Sequence, residues 1–431
     1  MSNITSSPGP RRGFHVRKHP LIDSFLNLKG NPRACLITEP LWGIPYNLAI
    51  PFFSLYMSAL GVSDQQIGLR LSLGLFLQIF TAFLGGAITD KLGRRLSTLI
   101  FDAVAWVIPA VIYVFAQDYR YFIAGVIFNS IFQVTMISWN CLLVEDAPRK
   151  ELVNIFTWVT LAGLFSVFIA PLASLLVAQL GIVTSMRILT GFFAVVVSIK
   201  IILTYLWTTE TETGKIRMEA TRDVPMRTLL HGYSAVFKSM IHHPGTRTVL
   251  AIMVLINMTI HVTNSFFSLF AIQDLGLPEH YAGYFPIARA LIMLVFIFVI
   301  QSFLNRLRYQ IPLGIGLILY MLAQVALIFS PHSPYVGVAV YVLLDSFAYA
   351  LVIPQRDGLS ARILEPMERA RSLAIIQMVT QGLAAPFLTF AGYLSEQARI
   401  YPFIFNLIAF TICFFLIRRQ ELNEEHQAIT A

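Results

Sequence analysis

Long apolar runs separated by short polar segments make up most of the chain. A helix needs about 20 predominantly apolar residues to cross the hydrocarbon core of a bilayer. Runs of that kind lie near 34–60, 66–89, 97–116, 121–144, 153–178 and 182–207, and again near 247–273, 281–303, 310–330, 334–354, 372–393 and 400–418. They predict an all-α membrane protein with 12 transmembrane helices. Pro45 and Pro51 interrupt the first run, and Pro354 closes the tenth. The stretch 208–246 carries both signs of charge, as in Glu210, Glu212, Lys215 and Arg217, and reads as a linker with some short surface helix. It divides the chain into a six-helix half at 34–207 and another at 247–418, with polar end segments at 1–33 and 419–431.

The two halves repeat one another. Phe52-Phe53-Ser54-Leu55 recurs as Phe266-Phe267-Ser268-Leu269. Leu60-Gly61, Asp64 and Gly68 match Leu275-Gly276, Glu279 and Gly283, and Asp90-Lys91-Leu92 matches Asn305-Arg306-Leu307, all 215 residues apart. Apolar coincidences are common in membrane proteins; glycine and polar matches at one constant spacing are not. Two pseudo-symmetric halves of this kind place a solute site at their interface near the bilayer midplane.

Composition agrees. Of 431 residues, 56% are hydrophobic and 13% are charged, against about 25% charged in ordinary globular domains. A soluble fold could not hide so much apolar surface. The net charge of +8 sits in short loops between apolar runs, which argues against nucleic acid. One set of segments holds Arg11, Arg12, Arg17, Lys18, Lys29, Arg33, Lys91, Arg94, Arg95, Arg149 and Lys150. The same set continues with Lys215, Arg217, Arg222, Arg227, Lys238, Arg247, Arg306, Arg308, Arg356, Arg362, Arg369, Arg371, Arg418 and Arg419. The opposite set holds only Arg120, Arg187 and Arg399. The positive-inside rule then puts both termini in the cytoplasm, with a bacterial-type plasma membrane as the expected location. No secretory signal is expected at the basic start. Cys35, Cys141 and Cys413 have neither metal nor disulfide spacing and read as packed free thiols. There is no phosphate-binding Gly-x-x-x-x-Gly-Lys loop and no His-Glu-x-x-His or Cys-x-x-Cys spacing, so no cofactor, no metal and no enzymatic chemistry are expected.

Residues 86–95 read Gly86-Ala-Ile-Thr-Asp90-Lys91-Leu-Gly93-Arg94-Arg95. This resembles the signature that major facilitator transporters carry between the second and third spans. The resemblance implies a major facilitator fold, with Asp90 near the start of the eleventh helix and the loop helping to hold one access state. The stretch from Pro51-Phe-Phe-Ser-Leu-Tyr56 through Gly61 and Gly68 resembles the first hairpin of many facilitators, drug:proton antiporters among them. Arg120 with Gly125, and Glu145-Asp-Ala-Pro148, resemble features of the fourth span. In the fifth span Ser166 and Ala170-Pro171 stand where the antiporters carry Gly-x-x-x-Gly-Pro. The function so implied is alternating-access transport of a small solute by a monomer in the lipid bilayer, with proton-coupled export of amphipathic compounds foremost. Uptake of a polar nutrient such as a sugar is the alternative, and a non-transporting receptor or scaffold is the alternative from another class.

Ionisable groups inside spans are costly and therefore candidates for function. Asp345 lies about 16 Å along the tenth span and Arg289 about 12 Å along the eighth. Both helices run the same way, so the depths nearly match and an ion pair at a proton-coupling site is expected. Asn257, His261 and Asn264 share a face of the seventh span. In the family the first, fourth, seventh and tenth helices line the cavity, so Asn47 and His261 are implied on opposite walls. Tyr46, Asn129, Gln133 and Tyr349 complete the expected lining, and Gln377 and Gln381 lie one turn apart on the eleventh span. Polar glue between helices explains several of these equally well. Arg70 is expected to snorkel to the interface, and Asp102 to contact the basic 91–95 loop. Pro171 and Pro386 occupy matching sites and are expected to set bends.

Overall fold

The computed structural model describes residues 25–148, 151–225, 244–299, 310–362 and 369–430. The basic residues Arg11, Arg12, Arg17, Lys18, Arg149, Lys150, Arg227, Lys238, Arg306 and Arg308, and the repeat segment Asn305-Arg306-Leu307, lie outside them. Among the described residues every regular element is helical. Nine helices among the described residues are long and apolar enough to cross a membrane. The one at Asn154–Trp207 turns back at Gly181, whose φ of 73° is open to glycine at little cost. With the broken helix at 30–59 and the helix Tyr284–Val299, the arrangement is consistent with the twelve spans expected.

We number the spans in chain order. α1 covers 30–59 and is assembled from Gly30–Thr38, Pro40–Ala49, a 3-10 turn at Ile50–Phe52 and Phe53–Ala59. It is interrupted at Glu39, just ahead of Pro40, and at the 3-10 turn that holds Pro51, whereas Pro45, expected to break the run, lies inside the continuous helix Pro40–Ala49. α2 is Asp64–Leu92, opened by a reciprocal capping box between Ser63 and Gln66. α3 is Arg94–Val114 with a π-helical turn at Ala103–Val107, and α4 is Tyr119–Val144. α5 covers 152–180 and α6 covers 182–207. A linker helix follows at Glu212–Thr221. α7 covers 244–274, ending in a π turn at Phe270–Asp274, and α8 is Tyr284–Val299. α9 is Gln310–Ile328, α10 is Pro334–Arg362, α11 is Arg369–Gln397 and α12 is Tyr401–Thr430. α10 runs on through Pro354, eight residues past the expected end. One proline removes a single helical hydrogen bond, which neighbouring helices can offset in a membrane.

The repeat is visible in the backbone. Gly61 and Gly276 end the first helices of the two halves in the same left-handed conformation, with φ of 79° and 72°. The halves meet at the end remote from the 86–95 loop, here called the far end. The largest buried apolar cluster spans both halves there, joining Phe52, Tyr56 and Val177 to Phe266, Phe270 and Leu388. At the loop end the buried clusters stay within one half, around Cys35 and Leu142 in the first and around Ile252 and Cys413 in the second. α2 packs on α11 glycine to glycine: a Cβ at Gly68 would lie 2.4 Å from the Leu388 carbonyl oxygen and 2.8 Å from Gly392 Cα. α8 packs on α5 in the matching way, Gly283 against Ser174 and the Ala170 carbonyl. Ser58 and Gln273, themselves 215 residues apart, hydrogen-bond across the halves, Gln273 Nε2 donating to Ser58 Oγ at 2.9 Å.

Candidate functional site

α8 and α10 carry the two charges expected to meet, and they meet. An Arg289 Nη2 hydrogen donates to Asp345 Oδ2, with Asp345 almost fully buried. Arg289 Nη1 reaches Asn264 Oδ1 on α7 at 3.5 Å, and the guanidinium lies 5.1 Å from the Tyr349 ring centroid. The cluster surrounds a void of about 10 Å³ that Thr259 and Tyr320 also line, space for one water. Breaking such a pair without replacing a partner leaves a buried charge, at a cost of about 3–5 kcal/mol. The pair is therefore costly to separate unless a new partner reaches each group.

The other expected lining residues divide. Asn257 Nδ2 donates to Gln381 Oε1 at 3.3 Å, so α7 and α11 share a polar contact near mid-helix, with His261 one turn further along α7. Asn47 donates to the Gly43 carbonyl of its own helix at 2.8 Å, and no described contact joins it to His261. Tyr46 stacks on Trp42 at 4.6 Å and meets Trp106 edge-on. Asn129 donates to the Ala105 carbonyl inside the π turn of α3, at 3.0 Å. Gln133 is buried and reaches Gln78 on α2 at 3.5 Å.

Two expectations are corrected. Asp102 does not contact the basic 91–95 loop. It pairs with Lys200 of α6 at 2.6 Å, both side chains buried, because α6 runs antiparallel beside α3 and brings the ammonium to its depth. Arg70 does not snorkel outward. Its Nη2 donates to the Tyr113 hydroxyl at 3.2 Å and its guanidinium sits 5.1 Å from the Phe53 ring, since an aromatic pocket offers both an acceptor and a π face. Sequence reasoning also passed over Glu39 and Lys200. Both are ionisable groups within predicted spans, a signal sufficient to find them.

The 86–95 loop is braced from three sides. Gly93 has φ of 83°, and a Cβ there would lie 2.6 Å from Glu210 Oε2. That closeness lets the Glu210 carboxylate accept from the backbone N–H of Arg94 and Arg95, at 2.8 and 3.0 Å, capping the start of α3. Arg94 is buried and bonds Asp90 at 3.0 Å and Glu145 of α4 at 3.1 Å. Thr211, at the start of the linker helix, donates to Glu145 as well. Arg95 donates to the Tyr205 carbonyl and lies over the Tyr205 ring. A Cβ at Gly86 would meet nothing, and Lys91 is half-buried. The side chains at the start of α11, where the resemblance places Asp90, fall outside the described residues. Within α5, Ser166 takes the place of an antiporter glycine and packs on Gly43 of α1, within 2.7 Å of where its Cβ would be.

The far end is latched by charge. Asp64 Oδ2 at the start of α2 accepts from Ser395 Oγ at 2.6 Å and Arg399 Nε at 3.0 Å, and Arg399 Nη1 donates to Asp274 at 2.8 Å. Burial works to lower the Arg399 pKa, but the bonds to Asp274 and Asp64 outweigh it and raise it.

A bundle of apolar helices in two matching halves, closed at one end and carrying buried charge pairs, defines a membrane transporter. The chain belongs to the Major Facilitator Superfamily, whose sequence profile matches residues 42–344 and 249–429. No curated protein sequence matches it significantly. Solved structures share the fold at low identity. The nucleoside transporter NupG superposes with a TM-score of 0.69 at 15% identity, covering 90% of this chain and 98% of its own. A POT family transporter in complex with 5-aminolevulinic acid gives 0.69 at 14%, covering 93% and 98%. The human organic anion transporter MFSD10 gives 0.62 at 15%, covering 93% and 100%. The protein is thus an integral, multi-pass membrane transporter and not an enzyme.

Proposed function

We propose that the protein is a proton-coupled secondary transporter that exports small amphipathic compounds by alternating access. The halves 34–207 and 247–418 rock about a midplane cavity, joined by a cytoplasmic linker at 208–246, in a bacterial-type plasma membrane with both termini inside. The carrying observation is the buried Arg289–Asp345 pair, held by Asn264 and Tyr349 at mid-depth of the second half. A proton arriving at Asp345 discharges the pair, frees Arg289 and lets α8 and α10 part. The 86–95 loop, with Gly86, Asp90, Lys91, Gly93, Arg94 and Arg95, acts as the cytoplasmic gate of this cycle. Tyr46, Asn47, Asn129, Gln133, Asn257, His261, Asn264 and Tyr349 remain the proposed cavity lining on the first, fourth, seventh and tenth helices.

A second reading, uptake of a polar nutrient, draws support from the hydroxyl and amide groups of Thr259, Tyr320 and Asn264 around the pair. The test is proton movement in proteoliposomes holding a trapped pH-sensitive dye, with pooled drugs, sugars, amino acids and organic anions added. Wild type moves protons with one pool, and Asp345→Asn does not. Transport and pH dependence unchanged in Asp345→Asn would sink the proposal. Labelled sugars or amino acids accumulating in the lumen would favour the second reading.

A further inference from the structure

The first half contains a second charged recess. Lys200 and Asp102 neutralise one another at 2.6 Å. Glu39 of α1 stands within Coulombic reach of both, yet its carboxylate takes no hydrogen bond from any described residue. All three face a cavity of about 70 Å³ walled by Trp42, Trp106 and Trp139. Three polar atoms on this wall are buried without a partner among the described residues: Nε1 of Trp42, Nε1 of Trp139 and Oγ1 of Thr135. Lys200 and Asp102 bond one another directly, which leaves Glu39 as the acidic group of the recess with no hydrogen-bonded base.

Each feature asks for the same occupant. A half-buried carboxylate with no hydrogen-bond donor is costly until one reaches it, and an ammonium brings both the donor and a charge. Indole faces attract a cation further, most strongly where water is excluded. Two N–H groups and a hydroxyl held away from water call for a hydrogen-bond acceptor. On the measure by which 10 Å³ holds one water, the cavity holds roughly five to seven, enough for a charged head group and the atoms next to it. Met136, on the rim, is 47% exposed and leaves room for the remainder of the molecule to extend outward.

We propose that this recess binds the ammonium head of a small organic amine, its nitrogen on Glu39 between the indole rings and an acceptor atom near the nitrogen facing Trp42, Trp139 and Thr135. The amine is cargo only if the transport reading above holds; the binding itself does not depend on it. Arg289 and Asp345 then serve the coupling step in one half while Glu39 selects the solute in the other.

Tryptophan fluorescence of the full chain in lipid nanodiscs tests this directly, because three of the five tryptophans line the recess. The probes are 2-butoxyethylamine, the neutral 2-butoxyethanol and the anionic butoxyacetate, which share shape and ether oxygen and are optically silent. The amine should give a saturable change, and the other two should bind about tenfold more weakly or worse, the loss of one charge-assisted contact. Glu39→Gln should bring the amine down to the level of the alcohol, and Trp139→Phe should weaken it by about threefold, less than the loss of the charge. Equal affinity for amine and alcohol, no saturable response to the amine, or an unaltered Glu39→Gln protein would each overturn the proposal. If Glu39→Gln does not fold, the probe series on wild type decides alone. Amine binding with no proton movement in response to any pool keeps this inference and removes the transport reading; proton movement without amine-selective binding does the reverse.

Discussion

Replacing Gly68 with alanine should open the far end. The added Cβ would lie 2.4 Å from the Leu388 carbonyl oxygen and 2.8 Å from Gly392 Cα, both backbone atoms of α11 that cannot rotate away. Restoring ordinary contact requires α2 and α11 to part by about 1 Å. Overpacking of this order costs about 1–3 kcal/mol. The penalty applies only while the two helices touch, so it falls on the state closed at the far end and spares the state open there. The equilibrium between them should move by a factor of about 5–150. Spin labels on Gln117→Cys and His332→Cys, exposed positions on far-end loops of opposite halves and 215 residues apart, report the separation in a background without Cys35, Cys141 and Cys413. The wild-type distance distribution should be dominated by the short component, and Gly68→Ala should transfer population to a longer one. Gly392→Ala, whose Cβ would meet the Asp64 carbonyl oxygen at 2.7 Å, should act in the same direction. An unchanged or shortened distribution in a well-folded Gly68→Ala protein would refute the claim that this contact seals the far end.

Lys200→Met strands the buried Asp102 carboxylate and should cost about 3–5 kcal/mol in detergent unfolding followed by circular dichroism, whereas Lys200→Met with Asp102→Leu should recover much of it. Asp64→Asn should lengthen the same spin-label distance, and high salt should do so in wild type, because Arg399 is 29% exposed and open to screening. Glu210→Ala removes the cap on the start of α3 and should cost about 1 kcal/mol, read as faster tryptic cleavage at Lys215 and Arg217.

The spans are legible because a bilayer tolerates only long apolar helices with their backbone groups satisfied internally. Arg289 and Asp345 are legible for a related reason: depth along a helix is proportional to residue number, so two charges at matching depths can be paired on paper. Partners across the bundle follow no such rule. Asp102 is assigned from sequence to the nearest bases on its own helix, while Lys200, which it binds, lies on a helix that only the fold brings alongside. Asn129 reads as a cavity wall by its position on α4, yet its amide serves a carbonyl in a π turn that no periodicity announces. Tyr46 and Asn47 are adjacent on α1, and the direction each takes depends on a break at Glu39 and a 3-10 turn at Ile50–Phe52 that shift the faces of the helix. The bracing of the 86–95 loop by Glu210 depends on where the linker helix docks, and its sequence shows only a short polar stretch.

Ser58 and Gln273 occupy equivalent positions in the two halves and bond to each other, so they sit on the molecule's approximate dyad. In a dimer of identical subunits the residue at such a position faces its own copy, and any substitution changes both sides together. Fusing the two copies into one chain removes that restriction. An amide can then donate to a hydroxyl across the axis, an asymmetric pairing that two like side chains cannot form. The duplicated gene thereby acquires, at its centre of symmetry, a contact with a direction.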